Sequence, residues 1–246
     1  MQEQLWFTAL LNAAIGKPVN AAMQALPPAF HPANPQAPIP NYVAMQVLVV
    51  AALIIIFLLI RSRLSVEKPG PMQHLAEMLN QFVNGQSADI IDHHYERFIP
   101  LLTAIFVFVL FSNLLGIIPG FESPTADVRV PLGLAVVSFV YYNVHGLKKN
   151  GPIGYFKHFL GPIWWMAPLM LIIEIFSHIA RILSLTVRLW ANIFAGDLVT
   201  LAFFSMIPLA LPVVFNMLHI FVAILQAYVF MLLTIIYLSG AVAESH

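Results

Sequence analysis

Residues 168–208 read PLMLIIEIFSHIARILSLTVRLWANIFAGDLVTLAFFSMIP, and this stretch decides the class of molecule. No proline interrupts the 39 residues between Pro168 and Pro208. As one helix they would reach about 58 Å at 1.5 Å per residue, whereas a perpendicular membrane crossing needs only about 20 residues. The stretch therefore predicts either a helix broken at Gly196 or one lying strongly tilted in a bilayer. Arg188 sits in its middle. A guanidinium at bilayer depth costs roughly 3 kcal/mol on insertion scales, so it should face a partner or a water-filled cavity, and such residues mark ion paths. From Phe159 to Ala243 the only formal charges are Glu174, Arg181, Arg188 and Asp197, which points to ion translocation.

On a helix, Glu174, His178, Arg181, Arg188 and Asn192 follow at intervals of 4, 3, 7 and 4 residues. They form one polar stripe, with Ser177 and Ser184 beside it. Asp197 lies nine residues beyond Arg188, on nearly the opposite face if the helix is continuous. The partner segment, Pro212 to Leu238, carries His219 and Gln226 seven residues apart on one face. Hydrogen bonding between helices, about 0.6 kcal/mol per bond, explains Ser177, Ser184 and Asn192 as well as a transport role does. It does not explain Arg188, a charge too costly for packing alone. Arg181 lies nearer one end and can snorkel. Glu174, Asp197 and His219 are candidate proton-path groups. Glu174 and His178 at i, i+4 would suit a metal, but no HExxH sequence and no second carboxylate–histidine pair accompany them. No Gly-rich phosphate loop or nucleophile elbow is present. No metal, cofactor or catalytic site is expected on the chain.

Working outward, the whole sequence fits a membrane. It is 60% hydrophobic and 9% charged, with zero net charge and a mean hydropathy of +0.86, far from the roughly 25% charged residues of soluble domains. No basic block suggests nucleic acid, and the absence of cysteine excludes disulfides and thiol chemistry. The expected architecture is all-α: about five transmembrane or intramembrane helices with one amphipathic surface helix. Spans are predicted at 42–60, 99–118 and 129–146, with a long hairpin at 163–206 and 208–239. The surface helix falls at about 72–92, where Leu75, Met78, Leu79, Phe82 and Val83 recur at helical spacing. Residues 1–41 form a loosely held lead, proline-rich from Pro27 to Pro40, in which Trp6 to Met23 is expected as a short interfacial helix. Residues 42–243 make one membrane domain and 244–246 a tail. Gly146 to Pro152 is expected as a loop, and His93-His94 as solvated. Segment 61–98 holds Arg61, Arg63, Lys68 and Arg97, and segment 145–158 holds Lys148, Lys149 and Lys157. The other side has only Lys17 and Arg129, so the positive-inside rule predicts the N-terminus outside and the C-terminus in the cytoplasm.

Several separated motifs add a resemblance. Ser184 through Asp197 closely resembles the arginine motif of subunit a of the F-type ATP synthases. Leu225-Gln226-Ala227-Tyr228-Val229-Phe230, continuing to Tyr237-Leu238, is similar to that family's closing helix. Phe82-Val83-Asn84-Gly85 and Ser123-Pro124-Thr125-Ala126-Asp127 match two further stretches, so the resemblance covers about residues 42–243. It implies a stator of the F0 sector, its last two helices set against a rotating c-ring, with subunit b as peripheral-stalk neighbour and lipid around it. Two aqueous half-channels would carry protons, rather than sodium, to and from the ring, in a bacterial inner membrane. On this reading Arg188 is the essential arginine, Gln226 its neighbour on the last helix and Asn192 a polar group one turn on. Asp197 and His219 belong to the outer half-channel and Glu174 to the inner route, with lesser roles for His178, Arg181, Ser184, Tyr237, Asn113 and Asp127. The chain departs from the pattern at Leu115-Gly116, where some members carry an acid and only Asn113 is polar here, and at Pro131, which begins the third span. The competing class is a secondary transporter that holds an anionic substrate on Arg188. It predicts inverted repeats and broken helices, and no internal repeat is found.

Overall fold

Backbone amides in lipid have no water to bond, so long apolar runs satisfy them internally as helices. The computed structural model describes residues 5–25, 27, 31–32, 34–35, 37–65, 69–91, 95–118, 120–160, 166–206 and 210–242. Among them the helices are α1 (Trp6–Gln24), α2 (Asn41–Ser62), α3 (Pro71–Ile90), α4 (Ile99–Leu115), α5 (Arg129–Leu160), α6 (Ala167–Met206) and α7 (Ala210–Val242), with 3-10 turns at Tyr95–Phe98 and Pro124–Ala126. No strand occurs among the described residues. Five of the helices are long and apolar enough to cross a membrane, over Asn41–Ser62, Tyr95–Leu115, Arg129–Lys149, Ala167–Thr200 and Val214–Val242. His93-His94, and residues 163–165, 208–209 and 244–246 of the predicted hairpin and tail, lie outside the described residues.

The core is built around α7, which packs against α4, α5 and α6 and more lightly against α3. Leu102 and Val109 of α4, Tyr142 of α5, Leu189 and Ile193 of α6, and Ala227, Met231, Ile235 and Leu238 of α7 are fully buried there. Ala223 and Ala227 carry no bulk and let neighbouring backbones approach closely. Two side-chain bonds fix α3 to α7: Tyr228 Oη donates to Gln86 Oε1 at 2.9 Å, and Ser239 Oγ to the Ile90 carbonyl at 2.9 Å. α2 buries Ala44, Met45 and Val49 near its start but leaves Ile54, Ile55, Leu58 and Leu59 exposed. A cavity of about 420 Å³ separates it from α3 and α4, lined by side chains such as Leu53, Phe57, Leu79, Phe82 and Phe106.

Three expectations change. The lead is tied down: Asn12 grips Ile39 in both directions, its Nδ2 donating to the carbonyl at 3.0 Å and its Oδ1 accepting the N–H at 3.1 Å. The Gly146–Pro152 stretch is not a loop. The helix continues through Lys149, and the break is confined to Gly151 at φ 69°, ψ 161°, a left-handed φ open to glycine and an extended ψ imposed by the proline that follows. Lys149 Nζ donates at 2.8 Å to the Val242 carbonyl, meeting one of the acceptors left free at the end of α7. The second span ends at Leu115, not 118, because the chain turns at Gly116 to bring Ser123 over it. Pro131, in contrast, sits in the first turn of α5, where its missing N–H would have had no helical partner.

Gly116 is there for space. A Cβ at this position would lie 2.8 Å from Ser123 Cβ and 3.1 Å from Ser123 N. Gly116→Ala is expected to cost about 1–3 kcal/mol, as overpacking does, and to lower the thermal midpoint of the solubilised complex. An unchanged midpoint would mean that the 117–128 segment slides freely over α4.

Candidate functional site

Gly196 does not break α6. The element runs 40 residues from Ala167 to Met206, about 60 Å at 1.5 Å per residue, twice the roughly 30 Å hydrocarbon thickness. Glycine is needed instead for a neighbour. A Cβ on Gly196 would meet the His219 ring at 3.1, 3.2 and 3.4 Å, so the imidazole occupies the place a side chain would take. His219 is buried, and its Nδ1 lies 3.8 Å from Asp197 Oδ1. Asp197 and His219, on separate helices, thus form one pair near the turn of the hairpin. A cavity of about 280 Å³ adjoins them, bordered by Asn192, Gly196, Thr200, Phe215, His219 and Val222.

The middle of the hairpin holds the other polar groups expected together. Asn192 Nδ2 donates to Gln226 Oε1 at 2.9 Å. Gln226 is buried, and its Nε2 makes no hydrogen bond among the described residues. Arg188 is one turn away and exposed, with a 3.3 Å hydrogen bond from Nη2 to Ser184 Oγ. The bond that Gln226 makes is therefore with Asn192; none with Arg188 occurs among the described residues. Phe176, Ile179, Leu183, Val187, Phe194 and Leu198 form an exposed apolar stripe along α6, offset round the helix from Arg188, and Met217, Phe221 and Ile224 are exposed on α7. A fixed cation thus stands exposed on α6, at the border between its polar stripe and this apolar surface.

A third group lies toward the start of α6. His178 Nδ1 is 3.3 Å from Glu174 Oε1 and 3.0 Å from the Glu174 carbonyl. The His178 ring meets Phe139 edge-on at 5.6 Å and Tyr142 at 6.1 Å. Arg181 lies 5.3 Å over the ring of Tyr237, which is 6.1 Å from Tyr142. Arg181 thus has an aromatic partner within the fold, besides any snorkelling.

Asn113 is fully buried in a chain of bonds not anticipated from the sequence. Thr125 Oγ1 donates to Asn113 Oδ1 at 2.6 Å, Ser123 and Thr125 share a hydroxyl contact at 2.7 Å, and Ser123 Oγ donates to the Ser112 carbonyl at 2.9 Å. Asn113 Nδ2 reaches the Ala223 carbonyl of α7 at 3.5 Å. The Ser123–Asp127 motif was the signal available for this network. Asp127 itself accepts the Arg129 N–H at 3.0 Å and caps α5, some distance from the hairpin groups in role. Ser138 and Thr234, bonded at 3.2 Å between α5 and α7, had no sequence signal, being lone hydroxyls in apolar runs.

The polar groups therefore gather at two levels of the hairpin with a cation between them, an arrangement suited to passing protons from each end toward one open face. The ATP synthase A chain family matches residues 43–239. The chain belongs to this family. It is 54% identical to ATP synthase subunit a of Koribacter versatilis over the whole of both chains. It is 48% identical to that of Solibacter usitatus over 84% of this chain and 88% of the relative. With ATP synthase subunit a 2 of Syntrophotalea carbinolica it shares 42% identity over 72% of this chain and 76% of the relative. As a member of the ATP synthase A chain family it is a multi-pass membrane component of an ATP synthase complex and carries no catalytic site of that complex. The unbroken α6 also lacks the discontinuous helix that an anion transporter would bring to Arg188.

Proposed function

We propose that this chain is the proton-conducting stator of the F0 sector, set against the c-ring along the exposed face of α6 and α7. The observation that carries this reading is Arg188, an exposed cation bordering the apolar surface of α6, flanked along the hairpin by the Asp197–His219 and Glu174–His178 pairs. Asp197 and His219, with Asn113 behind them, serve the outer half-channel. Glu174 and His178 serve the inner one, with Arg181 and Tyr237 beside them, and Asn192, Gln226 and Ser184 order the groups around Arg188. Asp127 acts by capping α5. Subunit b is a further neighbour. The basic residues argue for an outside N-terminus and a cytoplasmic C-terminus, and the bacterial relatives for a bacterial inner membrane.

The physics follows from Arg188. A ring carboxyl facing lipid travels neutral, because desolvation disfavours its charge. An opposite charge within about 5 Å favours ionisation, so the carboxyl releases its proton as it reaches Arg188. Arginine keeps its charge when desolvated, where a lysine would lose it more readily. The same charge repels protons between the half-channels, so flow must go by way of the ring. Each proton crossing 100 mV contributes about 2.3 kcal/mol. The test of the ion is ATP-driven acidification of inverted vesicles carrying the complex. Equal rates with sodium present or withheld are expected; acidification that requires sodium would overturn proton coupling.

A further inference from the structure

We propose that Tyr142 of α5 is a further proton-path residue, a hydroxyl relay between the Glu174–His178 pair and Tyr237. This rests on the reading above. Tyr142 is 1% exposed, and its Oη is buried with no hydrogen bond among the described residues. A buried phenol without a partner costs free energy comparable to a lost hydrogen bond, and such groups are rare unless function or water accounts for them. Within the core its ring also meets two polar rings. The ring lies 6.1 Å from that of His178 on α6 and 6.1 Å from that of Tyr237 on α7, so it meets both helices from a third. Arg181 on α6 and Asn143 beside it on α5 act on the hydroxyl electrostatically. The titratable and charged groups facing it are thus His178, Arg181 and Tyr237. Phe139, one turn before it on α5, meets both the His178 and Tyr142 rings edge-on at 5.6 and 5.4 Å and holds them side by side.

A phenol relays without net change. Its oxygen takes a proton from imidazolium or water on one side while its own O–H passes to water on the other, and the hydroxyl is restored. Phenylalanine keeps the ring and removes only this exchange. In vesicles stripped of the ATPase sector, Tyr142→Phe is expected to slow passive proton flow about tenfold with assembly intact. That is less than the roughly 100-fold of a sole proton-transfer group, because water carries part of the flow. The loss should be steeper in deuterium oxide than for the unaltered complex. Flow at the unaltered rate in an assembled Tyr142→Phe complex, while Arg188→Ala still abolishes ATP-driven pumping in coupled vesicles, would overturn the relay and leave the stator reading standing. A measurement independent of any variant is hydroxyl-radical footprinting of the intact complex. Oxidation of Tyr142 above that of the buried Leu189 is expected where water reaches the hydroxyl, and labelling no greater than that of Leu189 would overturn the proposal.

Discussion

Arg188→Ala is expected to lose ATP-driven proton pumping by about 10- to 1,000-fold, the range set by the 1–3 pKa units over which a nearby cation favours an ionised carboxyl. The complex should still assemble. Arg188 is exposed and its recorded bond is a 3.3 Å contact with Ser184, itself exposed, so its removal strands no buried partner and should change stability by less than about 0.5 kcal/mol. Arg188→Lys should also fail, because an ammonium lowers its pKa on desolvation and the guanidinium does not. Passive proton leak should persist or rise in the alanine variant, since the barrier between half-channels is gone. Pumping quenched in inverted vesicles, with assembly checked by co-purification of the other subunits, is the readout. Near-normal pumping in both variants would reduce Arg188 to a packing residue.

Gly196→Val is the second large effect. The missing Cβ already has the His219 ring at 3.1 to 3.4 Å, and His219 is only 5% exposed along its side chain. A branched side chain must displace the ring, and the 3.8 Å approach to Asp197 is lost with it. Pumping should fall at least about 100-fold, the lower bound for removing a positioned proton-transfer group. Gly196→Ala separates the causes. Alanine gains about 1 kcal/mol of helix propensity, which offsets the few tenths of an ångström the ring must yield. Its thermal midpoint should hold or rise while pumping still drops. Unimpaired pumping in the valine variant would remove His219 from the proton path.

The sequence is explicit about what lipid demands and silent about what neighbours supply. Apolar runs such as Asn41–Ser62 and Ile99–Leu115 announce their helices, because backbone amides at that depth have no alternative. The stripe through Glu174, His178 and Arg188 announces the site for the same reason, since each polar group stands out against an apolar ground. Continuity at Gly196 was not legible: glycine permits a helix or a break, and what decides is a ring from another helix. The Gly146–Pro152 stretch has loop composition, yet Lys149 finds a carbonyl on α7 and the helix holds until Gly151. Tyr142 carries no signal in the sequence, because an aromatic in the apolar α5 looks like core. Only the positions of His178 and Tyr237, supplied by two other helices, make its hydroxyl conspicuous.

Asp197 lies 23 residues beyond Glu174 on α6 without a hinge, about 35 Å of backbone at 1.5 Å per residue. A spar of that kind transmits torque without taking up slack. On the reading proposed above, the two ports these residues mark keep their separation under load. Such a motor stalls, or it slips by whole steps. It does not shorten its stroke.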